Sequence, residues 1–256
     1  MKTNAIVRIV IYALVILLLL AILCAGLGLG TFYISLGSEN YITGEGSVAA
    51  SEVSRLELDW AAGSIRIVTA DTDQITFTES GYAEENQRMV YSQNGGTLKI
   101  SYSKTTVAIG FVSIPSKDLT ITVPEDWVCQ ELELDGASLE VEISGLTVTK
   151  LDIDGASNTI RFTGSVNTLE CDGAACEMAI TCTDRPRTID MDGAACQLEL
   201  TLPKDCGFRV EMDGLSCDFR SDLAYTIAND CQIYGDEYCR INADGISCEI
   251  TIHSAE

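Results

Sequence analysis

From residue 55 onward, apolar and polar residues alternate with a period of two, as in Leu56-Glu57-Leu58-Asp59 and Leu119-Thr120-Ile121-Thr122-Val123. A strand turns successive side chains to opposite faces, so this pattern predicts β-strands with one buried face. No helical period accompanies it. The exception lies at the other end of the chain, where residues 9–29 form a near-continuous apolar run. At ~1.5 Å per residue such a run, if helical, can cross a ~30 Å hydrocarbon core. Residues 35–52 are rich in Gly, Ser and acids and read as a linker. The expected organisation is a cytoplasmic N-terminus (1–8), a transmembrane anchor (9–34), a linker (35–52) and an extracytoplasmic domain (53–256).

Within that domain an Asp-Gly pair, followed by two mostly small residues, recurs at Asp135, Asp154, Asp172, Asp192, Asp213 and Asp244. The spacings are 19, 18, 20, 21 and 31 residues. A period near twenty signals stacked units, each too small to bury its own apolar face. Leu132 and Leu134, Leu151 and Ile153, and their equivalents precede the corner and point inward. Val141, Ile160, Met178, Leu198, Phe219 and Ile250 follow it and do the same. The expected fold is all-β, a parallel β-solenoid of about eight rungs with ~20 residues each. A hairpin meander or sandwich is the alternative. The corner Gly is expected to free the backbone, and the Asp to bond the turn. Residues 55–123 read as an irregular start to the stack: residues 56–67 are a degenerate repeat, and a hairpin turns at Asn94-Gly95-Gly96. Trp60 or Trp127 is a candidate cap, and residues 224–237 form an excursion before the last rung.

Charge sharpens this picture. All 38 acids follow the apolar run, whereas two of the 16 basic residues, Lys2 and Arg8, precede it, so the remainder is near −24. Basic residues on the N-terminal flank place that end in the cytoplasm and the domain outside. A cleaved signal peptide would have a shorter apolar core, and Leu23 before Cys24 is poor lipoprotein context. The acidity argues against nucleic acid and anionic lipid as partners. Ten cysteines lie beyond the run, where disulfides are permitted. No Cys-x-x-Cys occurs and His253 is the only histidine, which disfavours a zinc site.

The strand ending Leu119-Thr120-Ile121-Thr122-Val123-Pro124, its echo Leu198-Glu199-Leu200-Thr201-Leu202-Pro203, and the closing run from Ile241 to Ile252 resemble a bacterial family. It consists of membrane-anchored β-strand-repeat proteins labelled candidate adhesins, and the likeness spans roughly residues 53–252. The resemblance implies a β-solenoid at the cell envelope and no catalytic residues. A common family form places Asp after the Gly; here it precedes it, so no role for that acid transfers.

Two constellations remain. Asp135, Asp154, Asp172, Asp192, Asp213 and Asp244 would stack in one column beside Glu133, Asp152, Glu170, Asp190 and Glu211. Hard cations such as Ca²⁺, which take 6–8 oxygen ligands, could bridge the rungs. The plainer reading is that each Asp caps its own turn and salt screens the rest. Cys176, Cys196, Cys217 and Cys248 share one inward position with Asn158, and Cys171 lies nearby. They read as core thiols, with disulfides as the alternative. Cys231 and Cys239 could staple the excursion. Arg161 and Arg220 face outward, too far apart to build a basic constellation. No nucleophile motif, phosphate loop or histidine pair occurs, so an enzyme is not expected and no cofactor is implied. A β-helical polysaccharide-active enzyme is the remote alternative. The expected role is an interaction module touching an envelope protein or wall polymer.

Overall fold

A computed structural model describes residues 32–35, 41–81, 87–103, 105–109 and 116–255. The apolar run at 9–29 and the N-terminal residues 1–8 lie outside the described residues. Among those described, no helix is long and apolar enough to cross a membrane. The strands are β1 (Phe32–Ser35), β2 (Ile42–Thr43), β3 (Gly46–Ala49), β4 (Arg55–Asp59), β5 (Ala62–Ala70), β6 (Gln74–Ser80), β7 (Val90–Asn94) and β8 (Thr97–Ser101). They continue as β9 (Thr105–Ile109), β10 (Lys117–Pro124), β11 (Val128–Cys182), β12 (Thr188–Leu202), β13 (Phe208–Ser221), β14 (Thr226–Ala228), β15 (Cys231–Tyr234) and β16 (Cys239–Ser254). β1 pairs with β9 in a separate antiparallel ribbon, so Phe32 to Ile34 belong to a strand where the anchor was expected to end. The stretch expected as a linker also changes: β2, β3 and a 3-10 turn at Ala50–Glu52 fold part of it onto the domain.

The core is a parallel β-solenoid. β11 alone contains three successive rungs, and β12 pairs with the last of them in register, Asp172 beside Asp192 and Cys176 beside Cys196. Toward the N-terminal end, β4 and β5 lie in parallel on the first rung of β11, Asp59 beside Asp135 and Ile65 beside Val141. β8 and β10 form the outermost level beyond them. Inward residues from every level merge into one core, with Leu56, Leu132, Leu151, Leu169, Ile189 and Ile241 essentially inaccessible.

The order of levels departs from the order of repeats at the C-terminal end. β16 pairs with β12 on one side and β13 on the other, so the last rung in sequence lies between its two predecessors. The Asp column therefore runs 192, 244, 213. The excursion is the reason. β15 pairs antiparallel with β13 and β14 with β15, covering part of the outer rung before the chain returns inward. The N-terminal end is built likewise. The first rung in sequence is second in space, and β7 and β6 lie antiparallel on β8 and β10. Antiparallel strands over the end rungs hide backbone groups that would otherwise invite a further strand.

The corner glycines have a different cause from the one expected. None of Gly136, Gly155, Gly173, Gly193, Gly214 or Gly245 has a positive φ. A Cβ on Gly193 would lie 2.4 Å from the Gly173 carbonyl oxygen, and one on Gly245 would lie 2.4 Å from that of Gly193. Stacked corners approach too closely for any side chain. Positive φ is used instead in the β7–β8 hairpin, at Gly95 (58°) and Gly96 (85°), as a two-residue hairpin turn requires.

Candidate functional site

The strand before each corner turns two acidic columns outward. The innermost is aspartate at seven consecutive levels: Asp59, Asp135, Asp154, Asp172, Asp192, Asp244 and Asp213. All six aspartates expected in the column are there, and Asp59 joins them. Trp60 stands where the other levels carry the corner glycine, which obscured the match in the sequence. Beside the aspartates runs the second acidic column, and its register places Asn242 next to Asp190, with Nδ2 donating to Oδ1 at 2.6 Å.

Neighbouring levels lie ~4.8 Å apart. Like charges at that range repel by about 1 kcal/mol in water and more at a protein surface. The structure relieves this unevenly. In the N-terminal half Lys99 pairs with Glu57 at 3.4 Å. Lys150 Nζ bridges two levels, 2.7 Å from both Asp152 and Glu170, and these bonds push its pKa up. These pairs fall in the second column up to Glu170; beyond it no ion pair reaches Asp190 or Glu211, and none reaches any of the seven column aspartates, among the described residues. Burial, then Asp154 and Asp192, push the Asp172 carboxyl above its ordinary 3.8. Asp135 is raised by burial, Asp154 and Asp59, with Lys99 opposing; Glu133 is raised by burial, Asp135 and Glu57. None of the six corner aspartates bonds its own turn backbone among the described residues, so the expected capping role is absent.

Glu170, Asp172, Asp190, Asp192, Glu211 and Asp213 line a shallow groove of about 460 Å³. Beside it the corner ridge ends in exposed Leu215 and Ile246, where earlier levels carry alanine. Among the described residues no three His, Cys, Asp or Glu side chains are grouped to hold a metal ion. The aspartates form a line of single carboxylates.

The strand after each corner has a different outward face. There Arg161 pairs with Glu140 at 3.1 Å, Arg66 with Glu142 at 3.6 Å, and Arg220 with Asp218 and Glu249 at 2.7 Å each. His253 lies 3.2 Å from Asp222.

Inward, Cys176, Cys196, Cys248 and Cys217 stack in that order as free thiols. Asn158 shares their column, 3% exposed, with neither amide atom bonded. Cys231 and Cys239 are also free and do not staple the excursion. Trp60 and Trp127 are core residues, their indole N–H groups donating to the carbonyls of Lys117 (3.1 Å) and Val53 (3.0 Å). The alternation pattern did not flag Lys117. Its ammonium is fully buried, bonds Glu79 and the Gln87 carbonyl at 2.7 Å each, and lies over the Tyr102 ring. Burial lowers its pKa while Glu79 opposes that shift.

Residues 53–181, just over half of the chain, match the Toastrack DUF4097 family. Among solved structures, a candidate cell adhesion protein of Clostridium sporogenes aligns at 14% identity and a TM-score of 0.52, covering 84% of this chain and all of that one. A candidate adhesin of Bacteroides fragilis aligns at 12% identity and TM-score 0.39, covering 85% of this chain and 98% of its own. A candidate lipid-binding protein of Parabacteroides distasonis aligns at 16% and 0.35, covering 86% and 98%. No curated protein matches the chain. The first of these likenesses establishes a shared fold, and the family match bears out the resemblance read from the strand repeats. The chain belongs to the Toastrack family.

Proposed function

We propose that the chain is an adhesin-like interaction module of the bacterial envelope. In this reading residues 9–29 anchor it in the membrane, and the solenoid docks an envelope protein or wall polymer through its acidic face. The observation that carries the reading is the asymmetry of the two outward faces. On one, three arginines each pair with carboxylates of the same face. The other presents a seven-level aspartate column with no ion pair among the described residues, left to an external cationic partner. The description of the Clostridium sporogenes relative as a candidate cell adhesion protein fits such a role. No catalytic step and no cofactor form part of the proposal.

The test is binding of the detergent-solubilised full chain to isolated cell walls and envelope protein. Asp172→Asn/Asp192→Asn/Asp244→Asn should weaken binding by about tenfold, the sum of three exposed contacts of ~0.5 kcal/mol. Glu140→Gln/Glu199→Gln, on the other face, should leave it unchanged. Equal binding by both variants and the parent chain sinks the reading.

A second reading, Ca²⁺ bridging the ribbon, draws on the burial and mutual repulsion that raise Asp172 and Asp135. A ligand bound only by the native state must raise its stability. A melting rise selective for Ca²⁺ over Mg²⁺ and lost in the triple variant would favour this reading. A rise no larger than ionic strength gives would leave the docking role alone.

A further inference from the structure

The thiol column is independent of the acidic face in its chemistry. Cys176, Cys196, Cys248 and Cys217 occupy equivalent positions on four successive parallel rungs. Each sulfur lies directly under its own corner: a Cβ on Gly173, Gly193, Gly245 or Gly214 would meet that level's Sγ at 2.5–2.6 Å. The sulfurs are thereby held on one line parallel to the stack. Cys176 lies close enough to Cys171 and Cys196, and Cys248 close enough to Cys217, for each to act on its neighbour's thiol. Cys176, Cys196 and Cys248 are buried, whereas Cys217, on the outermost rung, is partly open to solvent.

We propose that this column is a binding site for soft monovalent metal ions, Cu⁺ in particular, each held in line between the sulfurs of adjacent rungs. Soft thiolates select such ions. Metal–thiolate bonds of ~2.3 Å, two in line, span ~4.6 Å, close to the ~4.8 Å rung spacing. A tetrahedral zinc cage needs convergent ligands, and no such group of three exists among the described residues. Pairs in line suit a two-coordinate ion.

Ligation is balanced by proton release: each ion displaces both thiol protons of its pair to solvent. One ion sits between Cys176 and Cys196 and one between Cys248 and Cys217. Two ions on four sulfurs thus make four thiolates, and each site carries one net negative charge. In the metal-free state Cys176, Cys196 and Cys248 are held toward the protonated form. Contact with Cys171 pushes Cys176 up to about 12, and burial pushes Cys248 up to about 11. The aspartate column runs beside the sulfurs, with Asp192 and Asp244 close enough to act on Cys196 and Cys248. A negative field of that kind concentrates cations at the mouth offered by Cys217.

The test is copper loading of the full chain, reduced and anaerobic, from a competing Cu⁺ chelator. Copper per chain is counted by elemental analysis, and X-ray absorption reads the sulfur neighbours. Cys196→Ala, which breaks the first pair, should lose one of the two column ions and keep the one between Cys248 and Cys217. Cys176→Ala should lose one, and it carries the test if Cys196→Ala does not fold. Cys129→Ala, buried elsewhere, should change nothing. Copper counts that ignore both column variants overturn the proposal. So does a parent chain that takes no copper from the chelator, or column thiols that form disulfides in the same experiment.

Discussion

At its N-terminal end the stack is closed by β6 and β7 around the buried Lys117–Glu79 pair. At its C-terminal end it is closed by the β14–β15 hairpin around an aromatic group. Phe208 lies 5.6 Å from Tyr234 and 5.9 Å from Phe219, and Phe219 lies 5.0 Å from Tyr225. The same topological device, a penultimate level inserted under a capped outer one, is held by ionic chemistry at one end and apolar chemistry at the other. The acidic face is uneven as well: Lys99 and Lys150 pair with Glu57, Asp152 and Glu170, and beyond Glu170 no ion pair reaches the second column among the described residues. Equivalent backbone positions in a repeat can carry opposite electrostatic solutions.

The largest expected effect breaks the N-terminal closure. Lys117→Ala leaves Glu79 buried without its ammonium and should cost about 3–5 kcal/mol in urea unfolding. Phe208→Ala at the other end should cost about as much, ~3–5 kcal/mol, through a cavity. The two should differ in salt response, since neither term at Phe208 is electrostatic. A Lys117→Ala variant as stable as the parent would refute the ionic closure.

A smaller effect of opposite sign is expected in the core between the halves. Asn158 stands between Leu139 and Cys176 in the inward column with its amide unsatisfied. Asn158→Leu, with a side chain the preceding level already accommodates, should raise stability by about 1–3 kcal/mol by removing that penalty. A lower unfolding midpoint would show that the amide is satisfied by something other than protein.

The smallest effect concerns the ribbon and pH. Asp172 and Asp135 are raised above 3.8 and Glu133 above 4.5. The folded state therefore holds these protons to higher pH than the unfolded chain. Their stabilising contribution is complete below the unfolded values and is lost as pH rises through the raised ones. Asp236 has the opposite sign, because its bond to Arg185 lowers its pKa. Its contribution is present above 3.8 and is lost only as pH falls through the lowered value. Acidifying from neutrality toward pH 4.5 should thus raise the melting temperature slightly, and Asp172→Asn should flatten that rise. A melting curve that falls over this interval in both proteins would contradict the crowding of carboxylates.

Much of the molecule could be read from the order of its residues. A period of two with a twenty-residue recurrence leaves few ways to bury every apolar face, so the parallel stack, the acidic column and the thiol column follow from spacing alone. Local pattern determines which side of a strand a residue takes, because that depends only on the pleat. It does not determine which rung lies beside which. The exchange of Asp213 and Asp244 in the stack is decided by the hairpin that folds back over β13, a contact between distant segments. Asp59 was hidden because Trp60 takes the place of its corner glycine. Lys117 was hidden because its burial depends on Glu79, Gln87 and Tyr102, which are brought together only when β6, β8 and β10 assemble. The corner glycines were legible as glycines. Their reason, a neighbouring carbonyl at the place of a Cβ, exists only once two corners are stacked.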